Sequence, residues 1–307
     1  MCEIEGTWVK PPVSWNVVVT QLPYNFQEIN GITTDNHGNV YCTTVGSVIW
    51  KFSKDNKCAP VRTEVTSSIW FREVLWKDDK LFICSCRNNS LYVFRYDTKE
   101  ITRLSGKFQQ GYHDGDMTDA MFCSPRGIAM DKHGDLYITE HHRVRKINMW
   151  SETVETVTGS KEGKYGFEDG ELKNAKFHNP HGIAISDNGT IYVADMNNHC
   201  IRIIRDGVVS KMNVHIYWRH PSGLALDNKG GYLYVCDSQY LRRIHLKTET
   251  VLTLRLDNFG RVAPGGCLCL NADGTLFVGF GTKIIQLESM WKWEKLLWLA
   301  YMKEDST

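Results

Sequence analysis

Five histidines, His141, His142, His181, His199 and His220, are of a type that could hold a metal or move a proton. Imidazoles that converge on one point bind zinc. Asp114-x-Asp116-x-x-Asp119 has spaced acids like a calcium loop, but lacks that loop's glycine and closing glutamate. Glu140, Asp195 and Asp237 are candidate acid–base carboxylates. Each follows a similar apolar run, and a catalytic group is usually asymmetric among repeats. The recurrence argues for a structural task, such as accepting hydrogen bonds from the following turn. There is no Gly-x-Ser-x-Gly elbow and no phosphate loop. The expectation is therefore no catalytic residue, no metal and no cofactor.

The elements that would position these residues repeat. Residues 177–203 hold three strand-like apolar runs, separated by Asp187-Asn188-Gly189 and by the polar corner Met196–His199. Asn-Gly between apolar runs is a strong hairpin signal. Copies begin at Gly31, Gly127, Gly182, Gly223 and Gly266, with a degenerate one over Val74–Ile83. Six units of about 41–55 residues, each of short strands, read as propeller blades. The sixth copy lacks a fourth strand, and Trp15–Thr20 is unassigned. That early strand is predicted to complete the last blade and remove an exposed edge.

Composition agrees. The chain has 307 residues, 42% apolar and 23% charged, with a net charge of +1, so bulk charge argues for neither nucleic acid nor membrane. No run of about 18 apolar residues is present, so no membrane span is expected. No secretory signal is read at the start. Ten cysteines without C-x-x-C are expected as free thiols in a cytoplasmic or other intracellular compartment. Cys84/Cys86 and Cys267/Cys269 are expected to share strand faces.

The pattern from Pro180 to Ile203, Pro-x-Gly-Ile-Ala followed by Gly-x-x-Tyr-Val-Ala-Asp, Asn-Asn and Ile-Arg-x-Ile, resembles the NHL repeat. Gly111–Phe122 and Gly166–Phe177 supply parallel Asp-Gly and Ala-x-Phe lead-ins. The resemblance covers roughly residues 28–287. It implies an all-β, six-bladed propeller over 28–288, preceded by segment 1–27 with the closing strand. It also implies a binding platform for protein or single-stranded RNA. Related six-bladed propellers include metal-dependent lyases and lactonases, and fold does not choose between these.

Loops before each first strand, and between second and third strands, should share one top face. That face would carry Arg72, Arg87, Asn88, Asn89, Tyr112, Arg126, His141, His142, Phe167, His181, Asn197, Asn198, His199, Trp218, Arg219, His220, Gln239 and Tyr240. Cations among aromatics suit RNA, but Asp114, Asp116, Asp119, Glu168, Asp169 and Glu171 lie beside them and would repel phosphate. The expected function is a non-enzymatic scaffold for a protein partner. The alternatives are RNA binding by the same face and a metal-dependent lyase or hydrolase in the channel. Residues 289–307 read as an apolar helix capped by Ser289, with Trp291, Trp293, Leu297 and Trp298 available for a partner or for self-association.

Overall fold

The computed structural model describes residues 2–4, 7–9, 17–21, 28–44, 48–53, 57–61, 69–227, 231–255 and 265–287. The expected helix at 289–307 lies outside them. Each repeat forms one antiparallel sheet, and there are six sheets. The fourth copy shows why. Ile183–Ile185, Ile191–Asp195, Cys200–Arg205 and Val208–Lys211 pair in sequence order. Asn188 Oδ1 accepts the Thr190 N–H, and Gly189 turns the chain at φ 84°. In three other blades Asp35, Asp131 and Asn271, at the first position of the corner, accept the N–H four residues on.

The innermost strands form a closed ring: Ile29–Thr34, Phe71–Lys77, Pro125–Met130, Ile183–Ile185, Pro221–Leu226 and Cys267–Leu270. They approach so closely that a Cβ on Gly127 would lie 2.2 Å from the His181 carbonyl. The core divides into six apolar clusters, and each joins two neighbouring blades. One of them packs Ile29, Ile32 and Val40 of blade 1 against Cys267, Phe277 and Ile284 of blade 6, so the ring has no seam in its core. Ala120, Phe122, Ala175 and Phe177, the lead-in residues, are buried in these clusters.

Val17–Gln21 pairs with Lys283–Leu287 and completes blade 6, two residues later than the Trp15–Thr20 expectation starts. Cys2–Ile4 and Thr7–Val9, which the sequence did not reveal, extend blade 5 at its outer edge beside Val251–Arg255. Two further expectations shift. Register places Leu268 opposite Val278 as Leu224 lies opposite Val235, so Cys267, not Gly266, occupies the repeat's glycine position. Cys86 lies beyond strand Lys80–Ser85, so it does not share a strand face with Cys84.

Removing residues 1–21 strips blade 6 of a strand ladder and bares a sheet edge. The expected loss is about 3–5 kcal/mol. Urea unfolding checks this; an unchanged midpoint would refute the closing role.

Candidate binding face and channel mouth

The loops entering each blade share a face with the corners between second and third strands. On blades 3, 4 and 5 that face is held by buried charge pairs. The second strands end in Glu140, Asp195 and Asp237, and the third carry Arg145, Arg202 and Arg242. Guanidinium and carboxylate meet at 2.8, 3.0 and 2.9 Å. Each carboxylate also accepts backbone N–H groups from the loop entering its own blade: Cys123 at 2.6 Å, His178 at 2.8 Å, and Arg219 and His220 at 2.8 Å. The acids are thus structural, but their main donors come before the first strand rather than from the following turn. Only Asn198, donating to Asp195 and to the Gly166 carbonyl, fits the original expectation. Pro125 and Pro221 pair opposite Glu140 and Asp237 and have no N–H to offer, which leaves those carboxylates free to reach upstream.

Each guanidinium spends its other N–H groups on entry-loop carbonyls: His113 and Met121, Glu168 and Lys176, and Tyr217. Each also lies between aromatic rings. Arg145 sits over Tyr112 and Phe122, Arg202 over Phe167 and Phe177, Arg242 over Trp218 and Tyr240. Asp114 and Asp169 add second ion pairs to Arg145 and Arg202, at 2.8 and 2.6 Å. Two acids expected to repel phosphate are therefore neutralised. Tyr112, Phe167, Asn198 and Tyr240, expected as binding residues, all serve this architecture. Arg202→Met leaves Asp195 buried without its cation and should cost about 3–5 kcal/mol. Arg202→Met with Asp195→Asn should recover part of the loss, since no bare charge remains; urea titration of both variants tests this.

Around these anchors a rim stays open. Phe108, Tyr165, Phe167 and Tyr217 expose 63, 52 to 66, and 79% of their surface, Phe167 being the 52% and Tyr165 the 66%. His141 lies tilted against His142 with ring centroids 3.7 Å apart, and Tyr165 stacks on His178 at 4.5 Å, with His142 and His178 between them 5.7 Å apart. His142 Nδ1 accepts the Asn179 N–H, and burial with the neighbouring His141 pushes its pKa down to about 4. His199 and His220 meet in a tilted contact with centroids 4.8 Å apart. Arg87 lies over Trp70 and Arg219 over Tyr240. Asn197 belongs to the short 3₁₀ turn Met196–Asn198 and donates its N–H to the His178 carbonyl. The five histidines thus divide into two separate pairs and the channel-lining His181, and do not converge. Among the described residues, no group of three His, Cys, Asp or Glu side chains could hold a metal.

Inside the rim, the second residue of each innermost repeat lines the channel mouth: Asn30, Arg72, Arg126, His181, Ser222 and Gly266. They enclose about 30 Å³. A second space of about 280 Å³ is bordered by the innermost strands, among them Ile32, Ile128, Ile183, Leu224 and Leu268, whose side chains are buried in the inter-blade clusters. Glu73 borders both spaces. The sequence reading passed over it. The available signal was a carboxylate at the glycine position of the degenerate second copy. Its side chain keeps some surface on the channel, yet protein surrounds it, and burial pushes its pKa up to about 8 against the N–H groups of Ile32 and Val74. A carboxyl raised in the fold is bound to its proton where the unfolded chain has lost it. Its contribution to stability therefore falls as pH rises from the ordinary 4.5 to about 8. Glu73→Gln should gain on wild type across that window and be level with it below; a constant difference in melting temperature would overturn the assignment.

Six blades of four to six strands, the last closed by the N-terminal strand, define a β-propeller. Solved propellers superpose over nearly its whole length. A gluconolactonase, XC5397 of Xanthomonas campestris, matches with a TM-score of 0.68 at 14% identity, covering 89% of this chain and 90% of that one. Virginiamycin B lyase of Staphylococcus aureus matches with a TM-score of 0.64 at 13% identity, covering 90% and 99%. At such identity the likeness shows the fold. The NHL repeat family model matches residues 177–204, the fourth copy. The match places one NHL repeat within the six-bladed propeller. It is 36% identical over 99 residues to the chloroplastic Protein SUPPRESSOR OF QUENCHING 1 of Arabidopsis thaliana, covering 32% of this chain. It is also 36% identical over 83 residues to NHL repeat-containing protein 2 of Gallus gallus, covering 26% of this chain. The matches span only 9% and 11% of those two relatives.

Proposed function

We propose that this propeller is a non-enzymatic scaffold whose top face binds a protein or peptide partner. The observation that carries this is the aromatic rim of Phe108, Tyr165, Phe167 and Tyr217, exposed on loops that buried arginine pairs hold rigid. Large amphipathic rings on a fixed frame supply contact area at low entropic cost. The donor set at the channel mouth supports the same reading over a metal-dependent lyase or hydrolase. Two guanidinium groups facing one small space would repel a cation.

Tyr165→Ser combined with Tyr217→Ser should abolish partner capture in an affinity pull-down. Trp150→Ser, on the opposite face and fully exposed, should leave it intact. Melting temperatures should be unchanged in both. Equal capture by the rim variant would overturn the proposal. A bound species sensitive to ribonuclease rather than protease would replace it with the RNA reading.

A further inference from the structure

The channel mouth holds more positive charge than its architecture uses. Arg72 comes from blade 2, Arg126 from blade 3 and His181 from the entry to blade 4, and all three line one cavity. Among the described residues, the Arg72 guanidinium donates to the Asn30 side-chain oxygen, at 3.5 Å. Arg126 Nε and His181 Nε2 are buried with no hydrogen-bond partner. Arg145 and Arg202 also leave Nε unpartnered, but their charge is neutralised at the terminal nitrogens by carboxylates and carbonyls, and the ion pairs among the described residues include none to Arg72 or Arg126. Burying like charges together is costly, and unpartnered buried donors add to the cost. The strain registers on the groups themselves. Burial, then the charge of Arg72, draws the Arg126 pKa down, and burial with both arginines holds His181 well below the usual imidazole range. The carboxyl in the same lining, Glu73, is occupied by the N–H groups of Ile32 and Val74.

We propose that the channel mouth is an anion site that takes one carboxylate group from the top face. Guanidinium forks match a carboxylate in two-point geometry, and a neutral imidazole donates a further hydrogen bond through Nε2. The space, about 30 Å³, accommodates the two oxygens of a carboxylate. Ser222 and the glycine backbones around it leave the approach unobstructed by large side chains. The carboxylate has two sources, a free small acid or an acidic residue of a polypeptide lying on the rim. The site goes beyond the scaffold reading, because the free-acid source needs no partner.

The test titrates the chain with sodium acetate at constant ionic strength and follows the ring nitrogen signals of His181. The expected result is a saturable shift. Arg126→Gln should weaken acetate binding by about tenfold, the loss of one charge-assisted hydrogen bond. The same variant, free of acetate, should melt no lower than wild type, since one buried like charge is gone. If it fails to fold, Arg72→Gln takes its place, and the wild-type titration stands by itself. A second arm uses a glutamate-rich peptide. Binding tighter than acetate, and weakened by the Tyr165→Ser and Tyr217→Ser pair, assigns the polypeptide source; binding equal to acetate assigns the free acid. No saturable His181 shift in wild type, an equal shift with chloride, or unchanged affinity in both arginine variants overturns the proposal. Because acetate does not depend on the rim, a failed partner capture leaves this result readable.

Discussion

Arg145, Arg202 and Arg242 lie inside the protein, and a guanidinium cannot shed its proton to escape burial. Each must be neutralised and have its terminal nitrogens hydrogen-bonded, or its blade is destabilised. The fold meets this demand with one carboxylate at the end of the neighbouring strand, several loop carbonyls and two aromatic faces. The loop entering the blade therefore has no freedom: its N–H groups bind the carboxylate and its C=O groups bind the cation. A single pair fixes strand ends, entry loop and ring orientation together. The exposed aromatics sit on the same loops and inherit that rigidity.

Ring closure imposes a second constraint. An open sheet of this kind would bare two edges and two apolar faces. Here Val17–Gln21 removes the edge of blade 6, and the cluster around Ile29 and Cys267 buries the faces of blades 6 and 1 against each other. Side-chain hydroxyls reinforce the inner ring: Thr43 donates to the Arg72 carbonyl, Thr139 to that of His181, and Ser222 to that of Gly266. These are the carbonyls of the residues lining the channel mouth, so the inter-blade ties also position that ring.

Much of this was legible in the sequence, for physical reasons. Asn188-Gly189 marks a turn because its backbone requires it, and apolar runs mark strands covered on both sides. The missing strand of copy six and the spare strand at the start implied closure. What escaped detection lacked such periodicity. Cys2–Ile4 and Thr7–Val9 are three-residue strands that add to an edge and follow no repeat. Gly265-Gly266-Cys267 offers two glycines for one position, and only pairing register decides. Arg202 in Ile-Arg-Ile-Ile alternates with apolar residues and reads as solvent-facing, yet it is buried. Its partner Asp195 was recognised as structural, but the cation was not, because nothing local in sequence shows that an entry loop will fold over it. Glu73 escaped because its copy is the most degenerate.

The anchors and the channel mouth are one mechanical unit. Asp195 binds the His178 N–H, and three residues later the His181 N–H donates to Ala194, the residue before that same aspartate. On blade 3, Pro125 pairs opposite Glu140, and Arg126 follows it directly into the channel. The buried pair thus holds the backbone from which the mouth residue projects, at one residue's remove on blade 3 and three on blade 4. A guanidinium or imidazole on a mobile loop would swing out to water and relieve its own burial. Fixed from below, Arg126 and His181 keep their unpartnered nitrogens directed at the cavity. The cost of that arrangement is met by the folding of the blades, which is how preorganised binding groups are maintained without their ligand.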